Sequence, residues 1–133
     1  MTRLDDWEWR LRAFLDASSN SIFQYGQLDC ALFACGAVEA MTGVHPYPEF
    51  PGTYDDKIGA ARALREKGKG TLEATFGQKF ESIPAGFARR GDIVTEPGGA
   101  MGVCMGSYAL FLAFEGGLVR KARAEFVTAW RVP

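Results

Sequence analysis

The sequence lacks features that several large classes of protein require. Three cysteines and one histidine in 133 residues are too few for a disulfide framework or a four-cysteine iron–sulfur cluster. Fifteen basic and sixteen acidic residues give a net charge of -1, which leaves no domain-wide positive charge for nucleic acid. The longest apolar run, Tyr108 to Phe114, is far shorter than the ~20 residues that span a bilayer. The N-terminus has no apolar run of a signal peptide. We therefore expect no nucleic-acid partner, no membrane insertion and no signal-directed export.

What is present has the composition of one globular domain. Hydrophobic residues make up 47% of the chain and aromatic residues 13%, and the length suits a single domain over 1–133 with one core. Most of the sixteen glycines lie after residue 42. This distribution predicts a helical part over 1–77 and a β-rich part over 78–133.

Two helices are predicted in the first third of the chain. Apolar residues at helical spacing over 3–16 predict the first, with Trp9 on the face opposite to the apolar stripe. Trp9 is either covered by another part of the chain or docks a partner. The second helix is predicted over Cys30–Thr42, because Asp29 is a good N-cap residue and Gly43 a good stop. It is apolar in nearly every direction, which is typical of a helix in the middle of a domain.

The rest of the chain predicts a connector, two helical segments and short strands. Three of the six prolines fall within 44–52 and predict an extended connector. Thr53 and Asp56 resemble a capping box that opens a helix through Lys67, and a short helical turn is predicted over 71–76. The predicted strands are 92–95, 101–106, 109–114, 118–120 and 126–132. We expect an α+β fold in which a buried central helix packs on an antiparallel sheet of about five strands.

Cys30 is the first candidate for chemistry, because it lies on the first turn of the central helix. The helix dipole and the free N–H groups of that turn favour the nucleophilic thiolate. The adjacent carboxylate of Asp29 opposes it by like-charge repulsion. The residue alone is therefore compatible with a nucleophile, but it favours a small buried hydrophobe.

Three segments resemble motifs of the NlpC-type, papain-like cell-wall peptidases. Tyr25-Gly26 followed by Asp29-Cys30-Ala31-Leu32 is similar to the family's nucleophile segment, in which a Tyr-containing loop leads into Asp-Cys-Ser-Gly. The segment 89–94 resembles its Arg-Gly-Asp-Leu-Val strand, and 100–106 resembles its His-Val-Gly-Ile-Tyr-Ile-Gly strand. The whole chain also resembles small proteins encoded among phage tail genes, which share its length and a Trp-Arg-Val near the C-terminus, here 130–132.

This resemblance implies a papain-like fold with Cys30 at the nucleophile position and Tyr25 and Asp29 as binding residues beside it. The chain departs from the family where the catalytic base belongs, because Ala100 stands at the position of the family's histidine. The stretch 111–113, where an orienting polar residue would be expected, is wholly apolar. The only histidine, His45, follows the far end of a helix that is about 18 Å long, which favours a loop residue over a base.

No metal or cofactor is expected. Cys30 and Cys35 are about 140° apart around the helix and cannot share one ion. Cys30, Cys104 and one remote histidine are fewer ligands than a closed zinc site needs. A reversible disulfide between Cys30 and Cys104 is left open.

Three functions are compatible with these patterns. We favour a structural or assembly component of a phage tail, near the tip, located in the virion and in the host cytoplasm during assembly. Trp9, the 45–51 loop and the basic cluster at 120–123 would then contact other tail proteins.

The second function is that of an active peptidoglycan peptidase or amidase, with Cys30 as nucleophile and an unconventional base. It predicts a groove beside Cys30 and a fast-alkylating thiol. The third is a non-catalytic module that binds a peptide or glycan in that groove.

Overall fold

Helices occupy the first part of the chain and strands the second, as predicted for an α+β fold. The computed structural model describes residues 1–133. Its helices are α1 Trp7–Ser18, α2 Cys30–Thr42, α3 Lys57–Lys67 and α4 Leu72–Phe76, with single 3-10 turns at Ala85–Phe87 and Arg123–Glu125. Its strands are β1 Glu81–Ile83, β2 Ile93–Thr95, β3 Met101–Cys104, β4 Tyr108–Leu112, β5 Leu118–Ala122 and β6 Thr128–Arg131.

The six strands form one antiparallel sheet in the order β1-β6-β2-β3-β4-β5. About five strands were expected, and the strand that was not predicted is β1. This edge strand is only three residues long, and its pairing with β6 places Glu81 opposite Arg131. Its partner is therefore 50 residues further along the chain, and no local pattern marks the pairing.

The central helix α2 has the predicted bounds and the predicted caps. The carboxylate of Asp29 accepts a hydrogen bond from the backbone N–H of Leu32 at 2.9 Å. Gly43 ends the helix with a left-handed φ of 78°, a conformation that costs glycine little. Eight of the thirteen residues of α2 are buried.

The sheet separates two apolar clusters. The larger one contains α2, part of α1, and side chains of the facing strands such as Met101 and Val103. The smaller one lies on the other side and contains Val94, Cys104 and Phe111. Successive strand residues point to opposite faces, so Cys104 faces away from α2.

The predicted starts of α1 and α3 were wrong. The first helix begins at Trp7 and not at residue 3, because Arg3 is engaged in bonds to the backbone carbonyl of Val132 and to Asp92. The third helix is capped by Asp56, whose carboxylate accepts from the N–H of Gly59. Thr53 instead donates its hydroxyl to the carbonyl of Phe50.

Candidate functional site

Three segments converge at the N-terminus of α2, around the buried carboxylate of Asp29. One oxygen accepts from the N–H of Leu32, as described above. The other accepts from the N–H of Gly26 at 3.2 Å and from the hydroxyl of Tyr54 at 2.5 Å. Asp29 therefore joins the loop before α2, the helix itself and the segment before α3.

The connector after α2 runs back along the helix and reaches this point. The N–H of Gly52 donates to the carbonyl of Gly26 at 2.8 Å, and Tyr54 follows two residues later. A Cβ at Gly26 would lie 1.8 Å from the carbonyl oxygen of Tyr54, and its φ is 81°. Glycine is therefore required at this position. Tyr54 was not found from the sequence, because no motif marks a tyrosine that approaches Asp29 from 25 residues away.

Two features of the site disfavour the thiolate of Cys30. Burial raises its pKa, and the negative charge of Asp29 raises it further, while backbone groups of Met101 and Ala31 act in the opposite direction and only partly offset the rise. The protonated thiol is the stable form near neutral pH, whereas nucleophilic attack requires the thiolate.

The start of β3 lies at Cys30, since the backbone of Met101 is close enough to hydrogen-bond the thiol. The preceding residue, Ala100, is half-buried and packs against the smaller cluster. The strand segment that resembles the family's histidine strand therefore meets Cys30 with its backbone, and the Ala100 side chain supplies no proton acceptor.

His45 is a loop residue, as predicted. Its Nδ1 atom accepts the N–H of Tyr47 at 3.0 Å, and it follows the C-terminal end of α2. The returning connector brings Tyr54, and not His45, to the end of the helix where Cys30 lies.

A cavity of about 160 Å³ lies beside Cys30, between α2, the connector, α3 and α4. Tyr25, a predicted binding residue, and Asp29 belong to its wall. Almost all of the other lining side chains are apolar, among them Phe23, Leu32, Phe50, Leu64, Leu72 and Phe76. This is the feature that both the peptidase and the binding-module hypotheses predicted beside Cys30.

The three cysteines are free thiols and are spread over the molecule. Cys30 and Cys35 line the cavity, and burial raises the pKa of Cys35 far above its ordinary value of 9.0. Cys104 accepts from the N–H of Gly106 and packs in the smaller cluster. The structure does not bring Cys30 and Cys104 together. It also forms no cluster of three or more His, Cys, Asp or Glu side chains that could hold a metal.

The surface residues predicted to contact partners differ in their availability. Trp9 is 70% exposed, so no other part of the chain covers it. Within the basic cluster, Lys121 pairs with Glu96 at 3.0 Å, and Arg123 donates to the carbonyls of Gly106 and Ala88. Trp9 is therefore a free surface feature, whereas much of the basic cluster is occupied within the chain.

Comparison with known proteins identifies a family. The profile of a family described as "Domain of unknown function (DUF6950)" matches residues 2–132, and the chain belongs to this family. No curated protein matches the sequence significantly. None of the helices combines the length and the apolar character that crossing a membrane requires.

Proposed function

We propose that this DUF6950 domain is a non-catalytic structural or assembly component of a bacteriophage tail, near the tail tip, built on a degenerate NlpC-type, papain-like fold. The observation that carries the proposal is a thiol at the nucleophile position with no base beside it. Burial and Asp29 raise the pKa of Cys30. The only histidine is bonded to Tyr47 at the other end of α2.

The geometry around Cys30 supports the papain-like part of the proposal. A cysteine opens the buried helix, the helix packs on an antiparallel sheet, and the start of β3 reaches the thiol. These are the relations that the resemblance to NlpC-type peptidases implies for nucleophile and histidine strand. Ala100 itself packs against the smaller cluster, on the side of the sheet away from α2, so its side chain offers the thiol no base.

The lack of a base argues against the peptidase hypothesis. A cysteine nucleophile is activated by an adjacent base or by a lowered pKa, and Cys30 has neither. The nearest carboxylate, Asp29, accepts three hydrogen bonds at the helix N-terminus. Its role is therefore to hold the loop, the helix and Tyr54 together.

Exposed apolar side chains support a role in assembly. Trp9 lies on the outer face of α1, opposite the buried Leu11 and Leu15. Tryptophan is enriched among the residues that contribute most to protein–protein binding. We therefore assign the contact with another tail protein to the outer face of α1.

The catalytic and non-catalytic alternatives are separated by the alkylation rate of Cys30. The purified protein is treated with iodoacetamide between pH 6 and pH 10, and each cysteine is followed by mass spectrometry. We expect Cys30 to react more slowly than the same cysteine in the urea-unfolded chain, with Cys35 and Cys104 as buried internal standards. Fast modification with an apparent pKa well below the free value of ~8.5 would support the peptidase instead.

The assembly role is tested in the phage itself. Cys30→Ala should leave the yield of infectious particles unchanged, because the thiol does no chemistry. Trp9→Ala should lower incorporation of the protein into virions, measured by quantitative mass spectrometry of purified particles. Ile58→Ala is the matched control, because Ile58 is also 70% exposed. Loss of infectivity in Cys30→Ala at normal protein levels would contradict the structural role.

A second candidate function is a binding module that retains the groove without the chemistry. The cavity beside Cys30 favours it. This function is compatible with a place in a phage tail, since a tail component can also hold a ligand.

A further inference from the structure

The two walls of the cavity beside Cys30 differ in how deeply their helices are buried. On one side lie Leu32 and Cys35 of the buried helix α2, and on the other lie Ala60 and Leu64 of α3. The helix α3 buries only Ala63 among its eleven residues. One wall is therefore fixed in the core, and the opposite wall is a thinly anchored surface helix.

The buried oxygen atoms of the cavity side chains are already bonded within the chain. Asp29 accepts three hydrogen bonds, one of them from Tyr54. The hydroxyl of Tyr47 donates to the carbonyl of Thr75 at 2.5 Å. No buried side-chain nitrogen or oxygen lacks a partner. A polar ligand would lose its bonds to water here and find few in exchange, which is unfavourable.

The volume of the cavity limits the size of its occupant. About 160 Å³ is close to the ~150 Å³ of an engineered apolar cavity that stays dry and binds benzene. One aromatic ring or a branched alkyl group of that size would fill the space. A disaccharide is larger than this space.

An exposed aromatic cluster adjoins the cavity. Phe23 and Tyr25 belong to the cavity wall, and Phe114 stacks on Phe23 with a centroid distance of 4.7 Å. Phe114 is 69% exposed and neighbouring Ile22 is 77% exposed. The apolar lining of the cavity thus continues to the protein surface.

We propose that this cavity is a binding site for a single uncharged, apolar group the size of one aromatic ring. The inference rests on the second candidate function and not on the role in tail assembly. It replaces the glycan of the binding-module hypothesis by an apolar ligand, because the cavity offers room for a ring and its buried side-chain oxygens already have partners.

The first test is thermal unfolding of the full chain with probes of one size and different polarity. Toluene and indole should raise Tm by about 5 °C at a free concentration of ~10 Kd, and further with the logarithm of the concentration, because they bind the folded state. Benzoate, which adds a charge to the same ring, and glucose should leave Tm unchanged. N-acetylphenylalanine amide shows whether the ring is also accepted on a peptide backbone.

A pair of variants on α3 locates the site. Ala60→Leu adds three carbons to the cavity wall and should abolish the shift caused by toluene. Ala61→Leu makes the same change at the next, exposed position outside the cavity and should keep the shift. If Ala60→Leu does not fold, Ala31→Leu fills the cavity from α2.

Alkylation provides a second readout of the same site. Bound toluene should slow iodoacetamide modification of Cys30 several-fold and leave Cys104, in the other cluster, unchanged. A Tm shift from either ring probe that grows with the logarithm of its concentration, and that Ala60→Leu removes, supports the site. A shift with the amide in addition indicates a peptide side chain as the source. Absence of a shift with every neutral probe, or an equal shift in Ala60→Leu, overturns it. Virion incorporation tests the assembly role separately, so either failure can be recognised.

Discussion

The carboxylate of Asp92 ties both ends of the chain to the sheet. It is fully buried and pairs with Arg3 at 3.2 Å and with Arg131 at 3.1 Å. It also accepts from the backbone N–H groups of Arg89 and Val132. Each of these donors stabilises the ionised form of the carboxylate in a buried position.

We expect Asp92→Asn to lower the free energy of unfolding by about 3 kcal/mol or more, because it leaves two guanidinium groups without their buried counter-charge. The measurement is urea unfolding at pH 7. Asp6→Asn is the control, since the pair of Asp6 with Arg10 is exposed and such pairs contribute less than ~1 kcal/mol. A loss below 1 kcal/mol for Asp92→Asn would mean that the pairs do not hold the termini.

Local chemistry made part of the site predictable, and distance along the chain hid the rest. Asp29 as N-cap and Cys30 on the first helical turn follow from neighbouring residues, and both predictions are confirmed. The bond from Tyr54 to Asp29 spans 25 residues, and the pair between Arg3 and Asp92 spans 89. Such contacts depend on the path of the chain in three dimensions, which a single sequence does not display.

The accuracy of the predicted elements follows the same division between local and distant signals. The bounds of α2 were predicted correctly, because a cap, an apolar run and a terminal glycine all lie within its own sequence. The strand β1 was missed, because its pairing with β6 alone defines it. The start of α1 was misplaced, because Leu4 continues the apolar stripe, whereas Arg3 beside it bonds to Val132 and Asp92.

Unequal burial of the helices predicts unequal local stability. The helix α3 buries one residue, whereas α2 buries eight. We expect the amides of α3 to exchange with deuterium at least ~100-fold faster than those of α2, since segments with few buried contacts open locally. Hydrogen exchange at pH 7, followed by mass spectrometry or NMR, measures both helices in one sample.

The helix α1, with three buried residues in twelve, serves as the comparison of similar length and should be protected more than α3. Protection of α3 equal to that of α2 would show that the cavity wall is rigid. Slower exchange in α3 on addition of toluene would place the opening motion at the cavity.

Across the whole molecule, burial or partial burial favours the neutral form of five weakly acidic groups. They are the thiols of Cys30, Cys35 and Cys104 and the hydroxyls of Tyr47 and Tyr54. In each case burial is the largest cause of the raised pKa. Cys35 belongs to the larger apolar cluster and Cys104 to the smaller one, so the effect is not confined to the candidate site.

These groups predict that the fold weakens in alkali. Above the ordinary thiol pKa of 9.0, the unfolded chain releases protons that the folded chain retains, so the free energy of unfolding falls as pH rises. A thiol as buried as Cys35 contributes a slope of about 1.4 kcal/mol per pH unit until its folded-state pKa is reached.

The measurement is urea unfolding at pH 7, 8, 9, 10 and 10.5. The free energy of unfolding should be constant up to about pH 8 and fall steeply beyond it. Cys35→Ala should reduce that slope by about 1.4 kcal/mol per pH unit, the contribution of one thiol. A surface variant such as Ala61→Leu should leave the slope unchanged. Constant stability from pH 8 to pH 10.5 would mean that the thiols ionise freely in the folded protein, and the Cys30 site would then need to be reconsidered as a reactive one.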